Sequence, residues 1–174
     1  MAHYDFDSNE FLLAYLITIR AFGTWLHGDQ RQSIDRHRLN VYGGRRRPAN
    51  PKLERLMELN MVRDAIVLNE KQRAVVKKAI KEVCDHRGYK LWAINILTNH
   101  AHAVVSAQSN PEPIADAFKS CSTRKLREVG LIGNNIRPWA RGKSRRYLWK
   151  PPHVSRAIDY VLYGQGDIIP DFDD

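Results

Sequence analysis

Asn95-Ile96-Leu97-Thr98-Asn99-His100-Ala101-His102-Ala103-Val104-Val105-Ser106 is the stretch on which the fold of this chain turns. Residues that suit strands stand on both sides of a Thr-Asn pair that suits a turn. The pattern predicts a hairpin, with one strand over residues 89–97 (YKLWAINIL) and the next over 100–108. Successive side chains of a strand point to opposite faces, which puts His100 and His102 on one face and Ala101, Ala103 and Val105 on the other. Two neighbouring imidazoles on a rigid strand can chelate one divalent cation if a third ligand arrives from another element. The same spacing also suits two solvated or hydrogen-bonded histidines on a half-exposed sheet, so spacing alone leaves both readings open.

Upstream, residues 11–22 (FLLAYLITIRAF) form a nearly uninterrupted apolar run and predict a central, mostly buried strand. A loop follows, with Trp25 and His27, and from about 27 to 60 the pattern is irregular. This segment carries Arg36, His37 and Arg38, then Arg45, Arg46 and Arg47 between turn residues, then Asn50-Pro51. It is expected to be a basic insertion, longer than a plain connection requires; a solvated surface loop is the simpler alternative. Asn69, Glu70 and Gln72 have the pattern of an N-cap, a first-turn acid and an N3 amide, and Gly88 suits a C-cap, so a helix is predicted over about 70–87. Its apolar stripe is Val76, Ala79, Ile80, Val83 and Cys84.

Downstream of the hairpin, Asn110-Pro111-Glu112 opens a helix expected to reach Val129, with Ile114, Ala117, Phe118 and Cys121 facing the core and Arg124 in its second half. Residues 143–150 (KSRRYLWK), with Arg145, Arg146, Tyr147 and Trp149, read as a short basic strand. Pro151-Pro152 opens a last helix with an expected buried stripe of Val154, Ala157, Ile158, Val161 and Leu162, ended by Gly164 and Gly166 ahead of an acidic tail over about 167–174. The order gives an α+β fold: a ferredoxin-like βαββαβ antiparallel sheet with helices on one face, plus a C-terminal helix bearing Tyr160. No internal repeat or domain boundary is visible, so residues 1–174 are expected to form a single domain.

Composition narrows the partners. Of 174 residues, 43% are hydrophobic and 27% charged, the balance of an ordinary globular domain. No apolar run approaches the roughly 20 residues of a membrane helix, and the polar, acidic N-terminus lacks the look of a secretory signal. Cys84 and Cys121 sit in helical patterns without metal-site spacing and are expected to be reduced thiols of a cytoplasmic protein. Twenty-eight Lys and Arg against 19 Asp and Glu give a net charge of +9. Counterion release makes nucleic acid the default partner for such a surface.

Tyr160 lies on the last helix roughly 130° from that expected stripe, on the side of His153 and Arg156. A phenol at the edge of a sheet-packing helix can swing over the adjacent face and act as a nucleophile. Its reference pKa of about 10 then calls for a metal or another cation to stabilise the phenolate. An amphipathic surface tyrosine is the plainer alternative.

LITIRAFGTWLHGD (16–29), TNHAHAVVSA (98–107), SRRYLW (144–149) and AIDYVLYGQG (157–166), in this order, resemble the single-tyrosine transposases of the HUH endonuclease superfamily, of the insertion-sequence and REP-associated type. The likeness runs from about residue 14 to 167. It implies a single-strand DNA transposase and endonuclease that cuts and rejoins DNA through a 5′-phosphotyrosine. His100 and His102 would be the His-hydrophobic-His pair, Tyr160 the nucleophile and Gln165 the third ligand of a Mg²⁺ or Mn²⁺ ion. Two features depart from the family pattern. Ala101, between the histidines, is smaller than usual, and Gln165 stands five residues after Tyr160, where four would keep both on one helical face. His27 is the next candidate ligand. The expected partner is single-stranded DNA with an adjacent hairpin, bound by a monomer or by a homodimer that exchanges the tyrosine helix, in the cytoplasm at the bacterial nucleoid. Arg45, Arg46, Arg47, Arg124, Arg145 and Arg146 would track its backbone, and Trp149, with Trp25, Trp139 or Tyr147, would stack on bases. The rival is a catalytically silent DNA-hairpin or RNA-binding module on the same fold, although an aromatic run of the kind RNA-recognition sheets carry is missing.

Overall fold

Alternation along the histidine strand divides the protein into two sides. The computed structural model describes residues 11–24, 26 and 48–164. Its elements run β1 (Ala14–Ala21), α1 (Pro51–Leu59), α2 (Glu70–Arg87), β2 (Lys90–Ile96), β3 (His100–Ser106), α3 (Pro111–Glu128), β4 (Trp139–Leu148) and α4 (Pro151–Tyr163). The four strands form one antiparallel sheet in the order β2-β3-β1-β4. The β2–β3 hairpin is the predicted one, and β1 lies between β3 and β4, so the two β-α-β halves interleave as an α+β sheet.

One row of this register crosses all four strands: Asn95 opposite His102, His102 opposite Thr18, and Thr18 opposite Ser144. Residues one step out of that row face the other way. Tyr15, Ile17 and Ile19 of β1 and Ala101, Ala103 and Val105 of β3 join Val76, Ile80, Ile114 and Phe118 in a core under α2 and α3. On the opposite face Ala14, Leu16, Ala93, Val104 and Leu148 pack against Ala157, Tyr160 and Val161 of α4. The histidines therefore share a side with α4, away from the main core.

Local signals account for the helices that hold this arrangement. Asn69 accepts from the Gln72 amide at 2.9 Å while its own amide donates to Gln72 Oε1 at 2.9 Å, a capping box, and Gly88 ends α2 at φ 67°. The lysine ammonium of Lys119 on α3 donates to the carbonyls of Ala140, Arg141 and Gly142. These belong to the start of β4, where its register with β1 shifts.

Four expectations are corrected. The strand predicted over 11–22 starts only at Ala14, and Phe11 is 76% exposed; an apolar residue beside a strand is not thereby part of it. The supposed irregular segment over about 27–60 ends in a helix, α1, whose N-cap is Asn50 and whose first residue is Pro51. That pair stands towards the end of the expected insertion, yet the same two residues are a helix start. The basic strand begins four residues earlier, at Trp139. On α4 Ala157 and Val161 of the expected stripe are buried, with Val154 and Ile158 packed against them, but His153 and Tyr160 join the buried side and Leu162 is 42% exposed. The small Ala157 lets the helix settle with its aromatic edge against the sheet.

Gly23, just after β1, has φ 74°, and a Cβ there would lie 2.8 Å from Met61 Sδ and 3.0 Å from Ala65 Cα. Gly88 shares the left-handed conformation but has open space around it. Replacing Gly88 by Ala is expected to destabilise by about 1 kcal/mol from backbone strain alone. Gly23→Ala adds the crowding and should lose roughly 2–3 kcal/mol. Thermal unfolding of the two variants side by side checks the difference.

Candidate active site on the histidine face

His100 and His102 project from β3 with ring centroids 4.5 Å apart at 78°. His102 is almost fully buried, at 2% exposure, and His100 is half-buried. Tyr160 meets them from α4: its ring lies 5.3 Å from the His102 ring at 67°. Phenol and imidazole pair are thus brought together from elements 58 residues apart in the chain. Tyr163, one turn later, is 80% exposed, whereas Tyr160 is 9% exposed.

Several contacts hold this triangle. Thr18 Oγ1 lies 2.7 Å from His102 Nδ1 in a fully buried cross-strand contact. His100 Nδ1 lies 2.6 Å from Asn99 Oδ1. Asn95, on the same cross-strand row, donates from Nδ2 to the carbonyl of Val161 at 3.1 Å and so pins α4 beside Tyr160. Gly164 donates its amide to the Tyr160 carbonyl at 3.0 Å, and a Cβ at Gly164 would stand 3.1 Å from the tyrosine ring.

Burial, and secondarily the neighbouring His100, lower the His102 pKa from 6.5 to about 3. The ring is therefore neutral, the state in which imidazole binds a metal. His102 Nε2 is buried with no hydrogen-bond partner among the described residues. An orphaned imidazole nitrogen beside a second imidazole fits a divalent cation. Among the described residues no three His, Cys, Asp or Glu side chains cluster as a metal site, so a further ligand must be of another kind or lie elsewhere. Gln165 and His27 both fall outside the described residues.

Residues 59–151, more than half of the chain and including the histidine strand, match the family described as "Transposase IS200 like". The chain belongs to the IS200-like transposase family. Among solved structures it is similar to one titled "Structure of the REP associates tyrosine transposase bound to a REP hairpin", with a TM-score of 0.51 and 11% identity over 94% of this chain and 72% of that one. A second similar structure is a putative transposase from Deinococcus radiodurans R1, with a TM-score of 0.48 and 12% identity over 91% of this chain and 94% of that one. The first likeness is one of fold. Among curated proteins none matches this chain significantly.

The other anticipated contacts of this IS200-like chain are divided between two sides. Arg146 is opposite Leu16 in the sheet register and shares the histidine face. Arg145 points the other way and pairs with Glu112 of α3 at 2.9 Å. Arg124, also on α3, pairs with Glu128 at 3.7 Å. Trp149, 42% exposed, stacks on Tyr147 at 6.2 Å, and Tyr147 meets Tyr15 of the main core side. Trp139, expected as a stacking surface, is instead buried in the main core. Arg45, Arg46, Arg47 and Trp25 lie outside the described residues. One residue was missed: Arg20, paired with His100 in register and two residues beyond Thr18, falls on the histidine face. The signal was a lone charge inside the apolar run of β1, a position that burial alone would not select. Among the described residues no helix is long and apolar enough to cross a membrane.

A neutral buried His102 makes the fold acid-sensitive. The unfolded chain takes up a proton below about pH 6.5 while the folded ring resists until about 3, so stability is complete above that window and falls as pH descends through it. At pH 5 the loss from this ring alone is about 2 kcal/mol. Thermal unfolding of the metal-free chain should drop more between pH 7 and 5 than that of His102→Gln, which has no ring to charge.

Proposed function

We propose that the chain is a metal-dependent single-strand DNA transposase and endonuclease that cuts and rejoins DNA through a 5′-phosphotyrosine at Tyr160. The observation that carries this reading is the packing of the Tyr160 ring against His102 on the face that also bears His100. His100 and His102 would hold Mg²⁺ or Mn²⁺, with Gln165 as the third ligand. Bound there, the ion would neutralise charge on the scissile phosphate and polarise it.

The chain's own residues supply the rest. The Tyr160 oxygen attacks the phosphorus in line; the P–O3′ bond breaks, leaving a free 3′-hydroxyl and the 5′-phosphate on the tyrosine. Reversal by a different 3′-hydroxyl rejoins the strands without an external energy source. Asn95 and Gly164 hold the tyrosine over the histidine face. Arg146 and Arg20 lie on that face and suit a phosphate backbone, as do Arg45, Arg46 and Arg47 in the insertion. Arg124, Arg145 and Trp149, on the far side, suit duplex or strand that extends past the sheet. A structure of the same fold holds a REP hairpin, which supports a single strand flanked by a hairpin as the substrate. The protein acts as a monomer or homodimer at the nucleoid.

The burial of Tyr160, at 9% exposure, favours one rival, a hairpin-binding relative without turnover. A covalent adduct decides between them. With a pool of labelled hairpin-flanked single strands and Mn²⁺, wild type should give a protein–DNA adduct on a denaturing gel, and EDTA should remove it. Tyr160→Phe should abolish the adduct, because only the phenolic oxygen can attack, while Tyr163→Phe keeps most of it. Replacing both His100 and His102 by Ala should end cleavage with hairpin binding largely kept. Mapping of the adduct to Tyr163 by peptide mass spectrometry would sink the assignment.

A further inference from the structure

The two histidines differ from ordinary strand histidines in what touches the nitrogen nearer the backbone. Each Nδ1 is engaged by a side-chain oxygen from a rigid neighbour: Asn99 Oδ1 at 2.6 Å for His100 and Thr18 Oγ1 at 2.7 Å for His102. We propose that Asn99 and Thr18 are positioning residues that hold both imidazoles in the Nδ1–H tautomer, leaving Nε2 of each ring as the lone-pair nitrogen for a divalent cation. This rests on the metal-dependent reading above.

For His100 the chemistry is one-sided. An amide oxygen only accepts, so a contact at this distance requires Nδ1–H on the ring, and a neutral imidazole has no second proton. Asn99 is itself fixed, because its carbonyl accepts from the Ala21 amide at 2.8 Å and from Thr24 Oγ1 at 3.1 Å. A turn residue braced in this way cannot drift from its histidine.

For His102 a hydroxyl can donate or accept, and burial decides. If Thr18 donated to Nδ1, the ring proton would sit on Nε2. That nitrogen is buried without an acceptor among the described residues, and an unsatisfied buried donor is costly to keep. With Thr18 accepting from Nδ1–H, Nε2 carries a lone pair instead, which a cation satisfies. Thr18 is well suited to the task. It is 4% exposed in the second of the two central strands, directly opposite His102 in register, and its β-branched side chain is stiff about χ1. A ligating histidine whose other nitrogen donates to a fixed oxygen has its tautomer and ring orientation set.

The test reads protonation and metal uptake separately. Long-range ¹H–¹⁵N spectra of the metal-free chain, labelled at histidine, should show Nδ1 protonated and Nε2 unprotonated in both rings at neutral pH. Thr18→Val keeps the shape and the strand preference but removes the acceptor. It should shift His102 away from that tautomer and weaken Mn²⁺ binding, measured by calorimetry with Mn²⁺ alone, by about 10–100-fold. Thr18→Ser should restore both, and Asn99→Ala should disturb His100 alone in the same way. Nε2–H on His102 in a chain that binds Mn²⁺ overturns the positioning role and leaves the metal reading standing, as does an unchanged tautomer and affinity in Thr18→Val. A wild-type chain that takes up no Mn²⁺ overturns the metal reading, and with it the purpose assigned to both residues.

Discussion

The contact between Thr18 Oγ1 and His102 Nδ1 ties together the two central strands through a polar pair buried across them. Its importance is first one of register. The side-chain period of a strand is two, so a slip of one residue between β1 and β3 would turn every side chain of one strand to the wrong face. The histidines would then enter the main core and Ala101 and Ala103 would face α4. An imidazole and a hydroxyl that satisfy each other only when Thr18 stands opposite His102 penalise that slip, since each would be left buried without its partner. The apolar surroundings that make the contact strong also keep the ring uncharged.

What the sequence made legible follows from how local each signal is. The capping box at Asn69 and Gln72, the αL glycine at 88 and the hairpin around Thr98-Asn99 are written within a few residues, and the structure has all of them. The pairing of His100 with His102 needed only strand parity. The burial of Tyr160 was not legible, because a helical wheel ranks positions by their own apolarity. Here a small Ala157 and the space above His102 decide which edge of α4 turns inward. Thr18 was invisible for a related reason: a threonine in an apolar strand looks like any β-branched residue until the register places an imidazole opposite it. Helix α1 was missed because its N-cap Asn50 and Pro51 fall within the expected irregular insertion, although its apolar residues keep to one side.

The basic residues also proved less interchangeable than a net charge suggests. Lys119 spends its ammonium on three backbone carbonyls at the irregular start of β4. Lys143 and Arg145 are paired with Asp116 and Glu112 of α3. All three fasten β4 to α3, on the side away from the histidines. Arg146, the next residue after Arg145, turns to the opposite side because of strand parity alone. A run such as KSRR in an edge strand thus divides its charges between structural cement and the histidine face.

The split of the interior into two clusters on either side of the sheet has a dynamic consequence. Helix α4 packs on one face of the sheet through the minor cluster, with the Asn95 hydrogen bond among its contacts, while α2 and α3 cover the main core on the other face. Proteins open in cooperative units whose free energies follow the contacts each unit must break. Detaching α4 is therefore expected to demand less than global unfolding, because the main core lies on the other face of the sheet. Backbone amides of α4 are expected to exchange with solvent ahead of those in β1 and β3. Such an opening would alternately shelter the Tyr160 phenol and uncover it beside the histidine pair.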